Sequence, residues 1–182
     1  MALFGNSTDY LRALEKDPKL AIMTMQDVAT HRGVSRAAID RMLRLNQLKE
    51  IRIGKTRYVR AWSVIDLRKE RDEQVARVRE FLEEMAHKRK ILTYDPVMSL
   101  IGLTHTVPAD RNHIGNILGS VSEQTWAENK TLLSVIVHRK TQGKTRPGPG
   151  FFNLVESLGI LWDNEDEFLE RETNKVWDIY AG

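Results

Sequence analysis

Gly33-Val34-Ser35 separates two short stretches of helical periodicity, and that interruption constrains the fold of this chain more than any other feature. Upstream, Thr24-Met25-Gln26-Asp27 has the form of a capping box with Asp in the fourth place, and Met25, Val28 and Ala29 form an apolar stripe. Gly33 can end that helix because glycine enters the left-handed region without steric cost. Downstream, Ser35 is placed to cap a second helix, Arg36 to Leu45, whose inner face carries Ala38, Ile39, Met42 and Leu43. Helices this short are marginal alone, so each must be held by burying its stripe. Beyond Asn46, Ile51-Arg52-Ile53 and Arg57-Tyr58-Val59-Arg60 read as strands joined by the turn Gly54-Lys55. Helix, three-residue turn, helix and hairpin is the order of a helix-turn-helix with a wing.

The remainder of the chain is organised around this segment. A first helix is expected from about Ser7, with Leu11 and Leu14 on one side, ending at Asp17-Pro18 because a residue before proline leaves the helical region. Ser63 is expected to cap a long helix reaching about Lys88, along which Val75, Val78, Leu82 and Met85 recur at 3-then-4 spacing. That row suits either a dimer seam between two chains or packing against the chain's own C-terminal half. From Ile91 onward we expect a helix over Pro96–Leu100 and another from Ala109 or Asp110 carrying Ile114, Ile117, Leu118 and Val121. A strand over Leu132–Val137, a basic Gly/Pro-rich loop over His138–Gly150, and helices over Phe151–Leu158 and Glu165–Tyr180 complete the chain. The expected fold class is mainly α with small β (α+β). It comprises a winged domain with an N-terminal helix over 1–62, a connecting and dimerisation helix over 63–90, and a small α+β domain over 91–182.

The formal charge of +3 conceals an asymmetry. Residues 1–90 hold 20 Lys and Arg against 13 Asp and Glu, whereas residues 91–182 hold 8 against 12. A basic front half suits a polyanionic partner. The absence of cysteine excludes disulfides, thiolate metal sites and cysteine nucleophiles. No apolar run approaches the roughly 18–20 residues that a membrane span requires. The opening Met1-Ala2-Leu3-Phe4 carries no basic and apolar leader, so the expected location is cytoplasmic, on the nucleoid if DNA is the partner.

With its apolar stripe turned inward, the second helix presents Arg36, Ala37, Asp40, Arg41 and Arg44 outward, behind the Ser35 cap. Residues near the N-terminus of such a helix approach base edges, and Arg36 has the fork that bridges guanine O6 and N7. Arg41 and Arg44 suit phosphates, and the hairpin adds Arg52, Lys55, Arg57 and Arg60. Between Thr24 and Arg60 nine basic residues stand against three acidic ones. Five phosphate contacts would make log affinity fall with log salt at a slope of about −4.5.

The string from Met23 to Leu43, with its Val28-Ala29 and Gly33-Val34-Ser35 core, resembles the DNA-binding domain of phage excisionases and MerR-type activators. Ile51-Arg-Ile-Gly-Lys-Thr-Arg-Tyr-Val59 is similar to the hairpin of that superfamily. The resemblance implies a winged helix-turn-helix, with Ser35, Arg36 and Ala37 opening the recognition helix, Lys55 and Arg57 in the wing, and subunits paired through the following helix. One stretch departs from it: Asn46-Gln47-Leu48-Lys49-Glu50 replaces the Gly-Leu-(Ile/Leu)-Pro tract common there. The expectation is a sequence-specific double-stranded DNA-binding protein, a homodimeric transcriptional regulator without cofactor or catalytic residues. An excisionase-like architectural factor is one alternative, and a nucleic-acid-processing enzyme with its site in the C-terminal half is another.

In that half, Arg139, Lys140, Lys144 and Arg146 are candidates for a second nucleic-acid contact. The Thr93-Tyr94 start, the helices and Val137-His138-Arg139 look like the DNA-binding domain of alkyltransferases, but without the reactive cysteine alkyl transfer is excluded. His105, His113 and His138 with Asp110 match no helical metal-pair spacing, and Gly143-Lys144-Thr145 lacks the upstream glycine of a phosphate loop. Trp126, Trp162 and Trp177 with Phe151 and Phe152 read as core aromatics.

Overall fold

A computed structural model describes residues 2–141 and 144–181, with the side chains of 140, 141 and 144 outside the description. It is mainly helical with two small sheets, an α+β chain, and it divides into two compact units, Met1–Arg71 and Asp72–Gly182.

In the first unit, β1 (Ala2–Phe4) precedes α1 (Ser7–Lys16), whose cap is Asn6: its side chain accepts from the Asp9 amide at 3.0 Å. Asp17-Pro18 ends α1 as expected, and Pro18–Leu20 form a single 3₁₀ turn leading to β2 (Ile22–Met23). Thr24 caps α2 (Met25–Arg32) through the Asp27 amide at 3.0 Å. Gly33, at a φ of 63°, closes α2 with paired bonds from its own amide to Thr30 O and from Val34 N to Ala29 O. After α3 (Arg36–Arg44), Asn46 takes the same left-handed role at a φ of 58°. There Gln47 N bonds Met42 O at 2.9 Å and Asn46 N bonds Leu43 O at 3.1 Å. The stretch that departs from the excisionase pattern thus still stops its helix, with Asn where glycine is usual, and drops Leu48 into the core at 1% exposure.

The hairpin of β3 (Glu50–Ile53) and β4 (Thr56–Arg60) turns at Gly54. The sheet order is β1-β3-β4-β2, with β1 parallel to β3. Glu50 lies opposite Val59 and Arg52 opposite Arg57, so these four share one face; Ile51 and Tyr58 share the other. Val59 joins Met25, Val28, Ala29, Ile39, Leu48 and Val64 in one core. On the opposite face, the Phe4 ring meets Tyr10 of α1 edge-on at 5.6 Å. Ser63 does not act as a simple helix cap: its hydroxyl accepts from Lys49 N at 3.1 Å and donates to Arg60 O at 2.7 Å, tying both strands to the start of α4 (Ala61–His87).

The long helix is not a separate segment. Residues 61–71 belong to the first unit and the remainder to the second. Val75, Val78 and Leu82, expected as a possible seam between chains, are 5%, 0% and 0% exposed within the second unit's own core, with Met85 packed against it. The dimer-seam reading is corrected by this burial: the 3-then-4 stripe is satisfied inside the same chain. The core around it comes from α5 (Tyr94–Leu100), α6 (Pro108–Asn129), α7 (Pro149–Ser157) and α8 (Glu165–Tyr180), and includes Met98, Ile117, Val121, Phe151, Val155 and Phe168.

The run Leu132–Val137 is a second correction. Leu133–Ile136 form a 3₁₀ turn, and the strand begins only at Val137. Hydroxyls on α6 hold that turn: Ser122 Oγ accepts from Ser134 N at 2.9 Å, and Thr125 Oγ1 donates to Thr131 O at 2.8 Å. Local side-chain bonds supply what a strand neighbour would otherwise give. The expected loop is in part a hairpin, β6 (Val137–Thr141) with β7 (Lys144–Arg146), and β5 (Leu92–Thr93) runs parallel to β6.

Candidate nucleic-acid interface

Ser35 fixes where α3 begins, its hydroxyl accepting from the Ala38 amide at 3.2 Å. Ile39 is fully buried and Ala38, Met42 and Leu43 partly so, which leaves Ser35, Arg36, Ala37, Arg41 and Arg44 exposed on the other side. Arg36 and Arg41 form no salt bridge among the described residues. Asp40, the remaining residue expected to face outward, is engaged within the protein. Its Oδ2 lies 3.0 Å from Arg44 Nη2, and its Oδ1 accepts from Arg57 Nη1 at 2.8 Å.

The same Arg57 is held from its other side by Glu50 Oε2, at 2.8 Å from Nε and 2.7 Å from Nη2, and Glu50 also binds Arg52 Nε. Three arginines and two carboxylates therefore form one chain, Arg44–Asp40–Arg57–Glu50–Arg52, which ties the hairpin to α3. Glu50 is the least exposed member at 13% and Arg44 the most at 71%. Burial of Glu50 opposes its ionisation, but hydrogen bonds and charge from Arg52 and Arg57 outweigh that and leave its pKa below the usual carboxylate value. Arg57 is correspondingly raised by its bonds to Glu50 and then Asp40. Each partly exposed pair adds no more than about 1 kcal/mol, so the network's main effect is to set geometry.

Two expected contacts change character. Arg57 is a strut between hairpin and helix. Arg60 points to the other face of the sheet, where its Nε donates to Lys19 O at 2.8 Å and Nη2 approaches Asp17 at 3.8 Å. Of the basic residues expected to meet nucleic acid, Arg36, Arg41 and Arg44 on α3 and Lys55 on the hairpin are exposed, and Arg52 is half-exposed. Sequence reasoning missed Glu50 entirely. An acidic residue two positions before one arginine of a hairpin and diagonal to another on the same face was the available signal.

Of the four basic residues expected in the second unit, Arg139 and Arg146 lie among the described side chains. Arg139 is exposed, whereas Arg146 is bound by Glu165 and lies 3.7 Å from Asp166 at the start of α8. The side chains of Lys140 and Lys144, and Gln142 and Gly143 between them, lie outside the described residues. The histidines are held apart: His105 pairs with Asp95 at 3.0 Å, His113 Nε2 with Gln74 Oε1 at 2.7 Å, and His138 Nε2 with Val135 O at 3.0 Å. Asp110 accepts from Thr104 N at 3.0 Å. Burial lowers the His138 pKa, against the bonds it makes to Val135 and Thr145. Among the described residues no three His or carboxylate groups gather as metal ligands, and no helix is long and apolar enough to cross a membrane. A groove of about 310 Å³ between α4 and α6 is lined by Asp72, Arg79, Glu80, Glu83 and Gln124. Its arginine is already clamped, by Glu83 at 2.7 Å and by both oxygens of Glu128 at 2.6 Å. No protein family, curated protein or solved structure matches the chain.

Proposed function

We propose that this chain is a sequence-specific double-stranded DNA-binding protein of regulatory type, in which α2, α3 and the β3–β4 hairpin work as a winged helix-turn-helix. The observation that carries this reading is the surface of α3. Its apolar side is buried, its other side exposes Arg36, Ala37, Arg41 and Arg44, and the hairpin bound to it by Asp40 and Glu50 exposes Lys55 and part of Arg52. A B-form major groove about 12 Å wide admits one helix, and cations flanking it meet the phosphates on either side. Ala37, small and central on the exposed side, permits close approach to base edges. Arg36 and Arg41, free of carboxylate partners among the described residues, can exchange water and counterions for phosphate without first breaking an ion pair.

The test is selection of genomic DNA fragments bound by the full-length chain, followed by footprinting. A regulator yields a few protected sites adjoining promoters. Uniform recovery of all fragments removes the sequence-specific part of the proposal, and no recovery at low ionic strength removes the whole of it.

A further inference from the structure

Asp40 and Arg44 carry an inference that rests on the DNA-binding reading above and deepens it. We propose that Arg44, held by Asp40, is the guanine-reading residue of α3, and that Asp40 positions it. Sequence pattern alone assigns Arg44 to phosphate, because it is the last residue of the helix. The pairing changes where its charge resides. A helical side chain leans toward the N-terminus, and a bond to the residue one turn earlier draws the guanidinium back by about 5.4 Å, toward the middle of the exposed face.

Three features suit this end group to a base edge. It is 71% exposed although its Nη2 is bound, and Nε and Nη1 make no other ion pair among the described residues. Asp40 is fixed in turn, since its second oxygen is held by Arg57, which Glu50 grips from behind. Biasing a side chain with this many rotatable bonds toward one position before binding lowers the ordering cost that a free arginine would meet at the groove. Specificity also gains by exclusion. A carboxylate beside the arginine repels phosphate and the acceptor-rich major-groove edges, so the pair is favoured where the arginine fork meets guanine O6 and N7.

The experiment is selection from a randomised duplex library by the full chain, by Arg44→Lys and by Asp40→Ala, with total affinity for a scrambled duplex and the thermal midpoint measured alongside. Arg44→Lys keeps the charge and loses the fork. It is expected to retain scrambled-duplex affinity and to lose one guanine preference by about ten-fold. Asp40→Ala is expected to weaken the same guanine preference while scrambled-duplex affinity holds or rises, because one repelling charge has gone. The inference is overturned if Arg44→Lys leaves every base preference intact. It is equally overturned if Asp40→Ala erases a cytosine preference instead, since Asp40 would then be the reader. Failure of the unaltered chain to enrich any sequence refutes the function proposed above and this inference with it. Enrichment by the unaltered chain with unchanged variants refutes this inference alone.

Discussion

Leu82→Ala separates the two ways in which the stripe on α4 can be satisfied. Leu82 is 0% exposed, within the core formed by the second unit's own helices. Truncating a buried leucine removes the transfer free energy of its lost carbons and leaves a cavity that neighbours only partly fill, a loss of about 2–5 kcal/mol. Total stability for a domain of this kind is roughly 5–15 kcal/mol, so the variant remains folded but sits close to its limit. At roughly 4 °C per kcal/mol the thermal midpoint should fall by about 8–20 °C. Urea unfolding followed by tryptophan fluorescence reports this unit selectively, because Trp126, Trp162 and Trp177 lie in it and only Trp62 lies in the other. The midpoint should move by the same amount at low and high protein concentration. A mass that halves in light scattering, with a concentration-dependent midpoint before mutation and an independent one after it, would refute the reasoning by showing that Leu82 packs against a second chain.

Three further outcomes follow from particular contacts. The folded-state pKa of Glu50 lies below its unfolded value of about 4.3, so its ion pairs stabilise the fold above that pH and lose their contribution as pH falls through the depressed value. The protection of the hairpin amides, taken relative to their intrinsic exchange rate at each pH, should fall below about pH 4 in the native chain, whereas a hairpin equally protected down to pH 2 contradicts the role given to Glu50. At Gly148 an added Cβ would stand 2.9 Å from the Tyr94 hydroxyl, so Gly148→Ala should lower the urea midpoint by the equivalent of about 1–3 kcal/mol, and an unchanged midpoint contradicts that close approach. Asn46 occupies the left-handed region, so Asn46→Ala should cost roughly 1 kcal/mol by thermal melting while Asn46→Gly costs less, and the reverse order contradicts the helix stop described here.

The local parts of this structure were legible because their signals are local. Thr24, Gly33, Ser35 and Pro18 act through their own backbone neighbours, and Glu165–Tyr180 forms a helix over the expected residues. What was not legible depends on distant partners. β1 and β2 are three and two residues long, too short for a period, and exist because β3 and β4 offer edges to them. Leu132–Val137 has strand composition, yet the amides of Ser134 and Leu133 bond to the hydroxyls of Ser122 and Thr125, roughly ten positions earlier. The stripe Val75–Met85 reports only that something apolar covers it. The grouping of Arg57 with Arg60 was a misreading that the sequence itself could have prevented. Positions an odd number apart on a strand face opposite ways, and one arginine meets Asp40 while the other meets Lys19 O. Asp40, a lone acid on an otherwise basic helix face, was the sign that an arginine would be held there.

The central claim is that α3 and the hairpin present a cationic surface to duplex DNA, and fluorescence anisotropy of a labelled duplex against salt concentration tests it most directly. With Arg57 and Arg60 engaged inside the protein and Arg52 paired with Glu50, three phosphate contacts, from Arg36, Arg41 and Lys55, give a slope of log affinity against log salt of about −2.7. Arg36→Ala and Arg41→Ala should each flatten it by about 0.9. A chain that ignores the duplex at low ionic strength, or one whose slope is indifferent to both substitutions, contradicts the account.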